Sequence, residues 1–432
     1  MSENGFAVGI DVGYSAVRIA LFSEASEDQV SDVCLIENDL GSRSTPTVVA
    51  YDEQTRLIGV EAISHAALYP EDAVFNIKRL VGRSAEEVQH HLNRCFFDYS
   101  TVDGRLSIRL PNSGSQTHTI EYLLAFIFDK LKEYAENEGI TVTAAVISVP
   151  HKFNRIQMQA FIDAANIVGI NVLQVINDTI SIAINYAWEK LESNYIKFLI
   201  IDFGASKLDV SLIEIEDFVI KDLTTVSHTD LGGVDFDERL IQLCITKISN
   251  EFDIAECKLE TNGRFLHKLR IQCEKANISL NDKSVAHIKI DAPIENKDVN
   301  FTVSRREFEE ATADLFERVM EAVRNVANTT DDNINDLIVV GGSSRLKRFE
   351  NALKNEFNKK RLNRPMNVYE ADVKGNTILA AKLSGLSDER IDNINLHETY
   401  GYFGMEDENE QMEVSDEYEF KTVESWKGLI ID

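Results

Sequence analysis

The sequence has few cysteines, far fewer basic than acidic residues, and no long apolar run. Its five cysteines are an odd number and form no Cys-x-x-Cys pair, which argues against a disulfide framework and against a zinc site. The 44 basic and 72 acidic residues give a net charge of −28, so nucleic acid and anionic membrane surfaces would be repelled. A globular protein of a reducing compartment fits these features.

No stretch approaches the roughly 18 consecutive apolar residues of a membrane helix, and the N-terminus lacks the basic region of a signal peptide. We therefore expect a cytoplasmic protein, and access to the nucleus stays open. The chain has 432 residues and is 44% hydrophobic, which is enough for two packed lobes.

Two segments of the sequence share one pattern. Gly9–Phe22 reads GIDVGYSAVRIALF, and Ile200–Ile215 reads IIDFGASKLDVSLIEI. In each segment an apolar strand ends in aspartate, a bend with glycine follows, and a second apolar strand returns, which is a β-hairpin pattern. Asp11 in the first segment therefore matches Asp202 in the second.

The later parts of the two units correspond as well. Ala144–Pro150 (AAVISVP) and Asp336–Gly342 (DLIVVGG) are both typical of buried strands, and apolar residues at helical spacing follow each. The chain is thus predicted to be a duplicated α/β unit whose two lobes face each other across a cleft. Asp11 and Asp202 would lie on opposite walls, where a cation bound to an anionic ligand relieves their repulsion. This arrangement predicts a metal–nucleotide site.

Each part of this site also has an ordinary explanation. Aspartate before glycine is common in plain hairpins, and the glycine pairs at 232–233 and 341–342 suit any turn from strand to helix. One helix carries a set of positions that fits either a ribose- and base-binding face or a solvated surface: Glu274, Asn277, Ile278 and Asn281. The repeat of the hairpin favours nucleotide binding.

A series of motifs occurs in a fixed order along the chain: VGIDVG, RSTPTVVAY, FNIKRLVGR, VPHKFN, GINVLQVIND, DLGGVDFD, CEKA and VVGGSSRL. Together they resemble the nucleotide-binding domain of the seventy-kilodalton heat-shock (heat-shock-70) chaperone family, over about residues 7–385. The resemblance implies an α/β, actin-like (ribonuclease-H-like) ATPase fold that binds ATP or ADP with Mg²⁺. It also implies a part in protein folding and the stress response.

The resemblance divides the chain into lobes. Residues 1–191 would form lobe I, with 364–388 returning to it, and residues 192–363 would form lobe II. Residues 389–432 would be a degenerate linker and an acidic tail, with no room for a substrate-binding domain.

The resemblance also implies roles for single residues. Asp11 and Asp202 would hold Mg²⁺ through water, Lys78 would orient the attacking water at the γ-phosphate, and Asp202 would accept its proton. Asp178 and Asp209 are the other catalytic candidates. The nucleotide contacts would come from Gly13, Tyr14, Ser15, Gly204, Ala205, Ser206, Lys207, Gly232, Gly233, Glu274, Asn277, Ile278, Asn281, Gly341, Gly342, Ser343 and Arg345.

The sequence departs from the family pattern in both phosphate loops. Tyr14 and Ser15 replace the usual Thr-Thr, and Ala205, Ser206 and Lys207 replace Gly-Gly-Thr. If the second loop needs a positive φ, the added Cβ atoms would strain it. Lys207 would be placed to neutralise phosphate charge, which keeps binding and alters hydrolysis.

Two functions follow from these features. The first is a chaperone-type ATPase that hydrolyses ATP to ADP and phosphate slowly or in an altered way, with a J-domain co-chaperone and a nucleotide-exchange factor as partners. The second is a non-hydrolysing scaffold or co-chaperone that uses nucleotide only structurally, like ribosome-associated partners of J-proteins. A sugar or carboxylate kinase on the same fold is a third alternative, but the sequence has no second substrate signature.

Overall fold

The computed structural model describes residues 5–24, 31–53, 55–102, 104–113, 117–190, 194–294, 297–330, 334–357, 361–363, 367–386 and 388–397. The acidic tail that we predict after about residue 400 lies outside these residues. Among them, no helix is long and apolar enough to cross a membrane.

The strands of the described residues, in chain order, are β1 (Phe6–Val12), β2 (Ala16–Ser23), β3 (Asp32–Leu35), β4 (Thr45–Pro46), β5 (Val49–Asp52), β6 (Thr55–Ile58), β7 (Ala73–Val74), β8 (Asp98–Val102), β9 (Arg105–Arg109), β10 (Thr117–Thr119), β11 (Val142–Val149), β12 (Asn171–Asn177), β13 (Tyr195–Phe203), β14 (Leu208–Glu216), β15 (Val219–His228), β16 (Val285–Ile294), β17 (Lys297–Ser304), β18 (Asp336–Val340), β19 (Arg361–Asn363) and β20 (Asn395–Leu396).

The helices of the described residues are α1 (Val60–Ala66), α2 (Ile77–Leu80), α3 (Gln89–Leu92), α4 (Ile120–Asn137), α5 (Arg155–Ile167), α6 (Asp178–Lys190), α7 (Gly233–Phe252), α8 (Glu256–Glu260), α9 (Gly263–Leu280), α10 (Arg305–Ala311), α11 (Ala313–Ala327), α12 (Lys347–Glu356), α13 (Ala371–Leu383) and α14 (Glu389–Asp392).

Two sheets repeat one topology, which confirms the predicted duplicated α/β fold. The first sheet has the order β12-β11-β1-β2-β3, with β4 paired to β2, and the second has the order β19-β18-β13-β14-β15-β20. In each, an antiparallel three-stranded meander is followed by two strands that join in parallel. The hairpin segments of the sequence are β1–β2 and β13–β14, at equivalent places of the two sheets.

Apolar runs explain why β1 and β13 are central strands of their sheets. The burial of β1 and β13 is continuous over their second halves, as expected for strands that are covered on both faces. The smaller sheets are β10-β9-β8, β6-β5-β7 and β16-β17. Asp11 and Asp202 are the next-to-last residues of β1 and β13, so the fold brings both aspartates to the ends of core strands.

Helices α6 and α13 lie between the two large sheets and share one apolar core with strands of both. Their close approach depends on Gly375 of α13, because a Cβ there would lie 1.8 Å from the carbonyl oxygen of Ser181 in α6. Asn376 of α13 donates to the carbonyl oxygen of Ile10 at 2.8 Å and to the hydroxyl of Ser148 at 3.0 Å. The two helices therefore hold the sheets in a defined relation at the aspartate ends.

The described part of the predicted linker forms regular structure. It contains α14 and β20, and β20 pairs in parallel with the outer strand β15, with Asn395 opposite Val219 and Leu396 opposite Ile220. The segment therefore extends the second sheet by one short strand.

Candidate functional site

The first hairpin places Asp11 opposite an arginine. Asp11 and Arg18 are register partners of β1 and β2, and Nη1 of Arg18 lies 3.1 Å from Oδ2 of Asp11. The bend is closed by the N–H of Gly13, which donates to the carbonyl oxygen of Ala16 at 3.0 Å. A Cβ at Gly13 would lie 2.5 Å from that oxygen, so the bend requires glycine.

The second hairpin places two aspartates opposite each other. Asp202 of β13 pairs with Asp209 of β14, and the bend is closed by the N–H of Gly204, which donates to the carbonyl oxygen of Lys207 at 3.0 Å. None of residues 204–207 has a positive φ. The strain expected from Ala-Ser-Lys is therefore absent, because this bend uses only backbone angles that ordinary L-residues adopt.

Lys207 lies among three carboxylates. Its Nζ is 2.5 Å from Oδ2 of Asp202, 2.5 Å from Oδ2 of Asp209 and 2.7 Å from Oδ2 of Asp178. Burial alone would lower the pKa of Lys207, but the three carboxylates raise it well above its usual value. The side chain is therefore a buried, charged ammonium that contacts protein carboxylates, whereas the sequence predicted that it would contact phosphate.

Lys78 and Asp178 come from the first half of the chain and join this cluster. Asp178 is the first residue of α6, and its Oδ2 lies 3.6 Å from Nζ of Lys78 in α2. Burial would raise the pKa of Asp178, but Lys207 and Lys78 lower it to about 2. Asp178 is thus an ionised carboxylate between two ammonium groups.

Asp11 and Asp202 share this charged region. Burial raises the pKa of each, and each also feels the negative charge of Asp178. Lys78 acts on Asp11, whereas Lys207 acts on Asp202. The fold therefore brings both aspartates, and all the other predicted catalytic residues, into one cluster at the strand ends.

The cluster includes a residue that the sequence did not indicate. Asp372 is in the first turn of α13, and its Oδ1 has no hydrogen-bond partner among the described residues. Burial, followed by the negative charges of Asp202, Asp178 and Asp11, raises its pKa well above the usual value. An acid at a helix N-terminus is an ordinary pattern, so no signal distinguished it.

The donor set allows a direct test of whether a metal ion fits. Asp178, Asp202 and Asp209 each offer an oxygen, and these oxygens lie within 4.8 Å of one another. Asp11, which the sequence predicted as a metal residue, is not part of this group. Three carboxylates suit Mg²⁺ chemically, but the ammonium of Lys207 already lies at bonding distance from all three. A divalent ion does not fit among them while Lys207 keeps this position.

Two loops of the second half, residues 204–207 and residues 232–233, bond to each other. The N–H of Gly233 donates to the carbonyl oxygen of Gly204 at 3.1 Å, and the N–H of Val234 donates to that of Ala205 at 2.8 Å. These donors belong to the first turn of α7, where a phosphate would bind. The N–H of Gly232 donates to Oδ2 of Asp235 at 2.8 Å. The two loops lie together, and protein oxygens accept from these amides.

An arginine next to Lys78 connects the two halves. Arg79 donates to the carbonyl oxygen of Ser206 at 3.0 Å and to Oδ2 of Asp235 at 3.2 Å, and its guanidinium lies 5.3 Å from the ring centre of Tyr14. Tyr14 is thus packed under a cation beside the second loop, while Ser15 is exposed. Sequence reasoning quoted the motif of Arg79 but assigned the residue no role.

The predicted adenosine face of α9 is divided. Glu274 and Ile278 are exposed, the latter by 65%, and Asn281 is half-buried at the end of the helix. Asn277 is buried, and its amide donates to Oδ1 of Asp237 at 2.7 Å. Since Asn277 turns toward α7, the four residues do not form one open face.

The other predicted adenosine residues surround a tyrosine. Gly341 has a φ of +81°, and a Cβ on Gly342 would lie 2.9 Å from the ring of Tyr369. The guanidinium of Arg345 stacks on that ring, 4.9 Å from its centre. Ser343 donates to the carbonyl oxygen of Gly204 at 2.8 Å, so this segment contacts the second phosphate loop.

Comparison with known proteins identifies the family. The model of the Hsp70 protein family matches residues 7–420. A heat shock 70 kDa protein of Neurospora crassa is 35% identical over 387 residues, which are 88% of this chain and 58% of that relative. The heat shock cognate 70 kDa protein 3 of Dictyostelium discoideum is 36% identical over 399 residues, or 89% of this chain and 61% of that relative.

This chain therefore spans about three fifths of the length of these relatives, 58% and 61%. The match in sequence agrees with the duplicated sheets, and both agree with the actin-like fold expected from the motifs. The chain belongs to the heat shock 70 kDa protein family.

Proposed function

We propose that this chain is a nucleotide-binding chaperone module that binds ATP and hydrolyses it slowly to ADP and phosphate. One observation carries the proposal. Two lysines and three aspartates, from elements distant in sequence, meet in one buried cluster beside two glycine loops and a helix N-terminus. Buried charge at such a place is typical of functional sites rather than of plain cores.

The cluster supplies groups for phosphate chemistry. Lys78 is 6% exposed, and its ion-pair partner among the described residues is the carboxylate of Asp178 at 3.6 Å. Its ammonium has donors left for a phosphate oxygen or for a water molecule. Asp202 has a pKa raised by burial, which suits a proton acceptor. Oδ2 of Asp202 already accepts a bond from Lys207. We therefore expect slow proton transfer to Asp202 and slow turnover of ATP.

Calorimetric titration with ATP and with ADP tests binding, and single-turnover hydrolysis tests chemistry. We expect Lys78→Ala to lower the hydrolysis rate by about 100-fold or more, as loss of a charged group at a transition state does, and to change the Kd much less. Lys130→Ala is the matched control, because Lys130 is a half-buried lysine of α4 whose partners are Glu133 and Asp39 rather than the carboxylates of the cluster. Absence of binding of either nucleotide would contradict the proposal.

A second candidate is a scaffold that binds nucleotide and does not hydrolyse it. It is favoured by the contacts of the second loop, because Lys207 engages the carboxylates and carbonyls of the loop take the amides of α7. Capture of partners from a lysate separates the two candidates. A J-domain protein or ribosome bound equally by the native chain and Lys78→Ala, together with no turnover, supports the scaffold.

Partners and location follow the family. We propose a J-domain co-chaperone and a nucleotide-exchange factor as partners, and the cytoplasm as the site of action, because the chain belongs to the heat-shock-70 family. ATP turnover with and without a J-domain protein tests this. Stimulation of hydrolysis supports the ATPase, whereas binding of the J-domain protein without stimulation supports the scaffold.

A further inference from the structure

We propose that the ammonium of Lys207 is the resident cation of this nucleotide site and replaces the divalent ion, so that adenine nucleotide binds without Mg²⁺. The inference rests on the proposed function, because it concerns how the same site balances its charge. It differs from what the resemblance implied, since Lys207 acts on the carboxylates of the protein and not on the phosphate.

The number of bonds at Nζ supports this inference. An ammonium has three N–H donors, and Lys207 faces three carboxylate oxygens at 2.5, 2.5 and 2.7 Å. Mg²⁺ would require oxygens at about 2.0–2.1 Å around an octahedral centre. Each of the three residues offers an oxygen within 4.8 Å of the others, and Nζ of Lys207 lies within 2.7 Å of an oxygen of each. The lysine and a metal ion exclude each other there.

The charge of two lysines also matches the charge of a divalent ion. Lys207 and Lys78 both lie near Oδ2 of Asp178, at 2.7 and 3.6 Å. Two unit charges equal the charge of one divalent ion. Two ammonium groups thus supply the positive charge that a buried carboxylate cluster needs.

The protein holds this lysine in place. Its carbonyl oxygen accepts from the N–H of Gly204 at 3.0 Å, and the preceding carbonyl, that of Ser206, accepts from Arg79 at 3.0 Å. The residue is only 8% exposed. A cation attached to the chain has a high effective concentration, so a metal ion in solution would have to displace it from three charge-assisted bonds.

The first experiment uses the full, unaltered chain. ATP is titrated by calorimetry in excess EDTA and in excess Mg²⁺. We expect Kd values that agree within about threefold, a difference below the tenfold that 1.4 kcal/mol produces. Binding in Mg²⁺ but not in EDTA would overturn the inference and leave the proposed function standing. Failure to bind in both solutions would overturn the proposed function and, with it, nucleotide binding without Mg²⁺. The metal titration below then decides separately whether Lys207 excludes a divalent ion from the carboxylates.

The second experiment measures Mn²⁺ binding through the paramagnetic signal of the free ion, without nucleotide. We expect Lys207→Met to bind one Mn²⁺ tightly, and its ATP affinity to fall about tenfold or more in EDTA and recover in Mg²⁺. Lys221→Met is the matched control, because Lys221 lies on the same sheet and forms an ion pair with the exposed Glu216.

The native chain and the control should bind no Mn²⁺ tightly. A tight, stoichiometric Mn²⁺ site in the native chain would overturn the inference. If Lys207→Met does not fold, the absence of this site in the native chain and its ATP binding in EDTA support the inference without the variant.

Discussion

The two hairpins of the duplicated fold differ in how each supplies a cation to its first aspartate. In the first, Asp11 lies opposite Arg18, which contacts it across the strands at 3.1 Å. In the second, Asp202 lies opposite Asp209, so the facing strand adds a second negative charge. The cation comes instead from the bend, where Lys207 contacts both aspartates at 2.5 Å.

The two bends are closed by the same backbone hydrogen bond. Gly13 bonds to Ala16 as Gly204 bonds to Lys207, each at 3.0 Å, so Ala16 and Lys207 hold equivalent places. A buried carboxylate must be neutralised or protonated. The duplicated backbone thus repeats the need for a cation, whereas the side chains decide where that cation stands.

The largest expected effect comes from removing the cation of the second hairpin. Lys207→Met leaves three buried carboxylates without their shared partner and should cost about 3–5 kcal/mol of unfolding free energy. Arg18→Met should cost less, since Arg18 faces one carboxylate and Asp11 still feels Lys78. Urea unfolding without divalent ions measures both losses. Equal losses would show that the two hairpins do not differ in this respect.

Removing one of the three carboxylate charges should recover part of the unfolding free energy that Lys207→Met loses. Asp209→Asn in the Lys207→Met background relieves carboxylate repulsion and should recover about 1–3 kcal/mol. In the native background the same change removes a partner of Lys207, so we expect it to destabilise the protein. A double-mutant cycle measured by urea unfolding checks the change of sign. The same sign in both backgrounds would contradict the contacts described.

The glycines of the two bends should differ in how well they tolerate replacement by alanine. A Cβ at Gly13 would lie 2.5 Å from the carbonyl oxygen of Ala16, whereas at Gly204 its nearest neighbour is 3.7 Å away. We expect Gly13→Ala to cost about 1–3 kcal/mol and Gly204→Ala less than about 0.5 kcal/mol. Thermal unfolding of the two variants tests this. A larger loss for Gly204→Ala would reverse the comparison.

The smallest expected effect concerns Asp237, an acid of the second half whose bonded neighbour is the amide of Asn277 rather than a cation. Burial raises its pKa to about 7. The folded chain therefore binds this proton more tightly than the unfolded chain. The stability it contributes is full below about pH 4 and is lost as the pH rises to about 7.

Asp237→Asn removes this loss of stability at rising pH. Relative to the native chain, the variant should gain about 1–2 kcal/mol of unfolding free energy between about pH 5 and about pH 8, a figure reduced for partial exposure. Urea unfolding at the two pH values measures the gain. A constant difference would show that Asp237 does not titrate in this range. Glu238→Gln, on the same helix α7, is the control.

Much of the fold was predictable because its signals are local. Apolar runs that end in Asp-x-Gly predicted both hairpins, and their repetition predicted the duplication that the sheet orders confirm. The residues of the charged cluster, except Asp372, were also predictable one by one. The adenosine face of α9 was less so, because helical spacing gives a shared face but does not say which neighbouring helix buries Asn277.

The sequence by itself determined the two strand-bend-strand units and the family, since both depend on residue order within short segments. Only the tertiary structure decided that Lys207 turns inward to three carboxylates, that Arg79 spans the two halves, and that burial and nearby carboxylates raise the pKa of Asp372. Each of these depends on distances between elements far apart in the chain. Charged groups act on one another through space. In a buried site, the neighbouring groups therefore set the charge of each side chain.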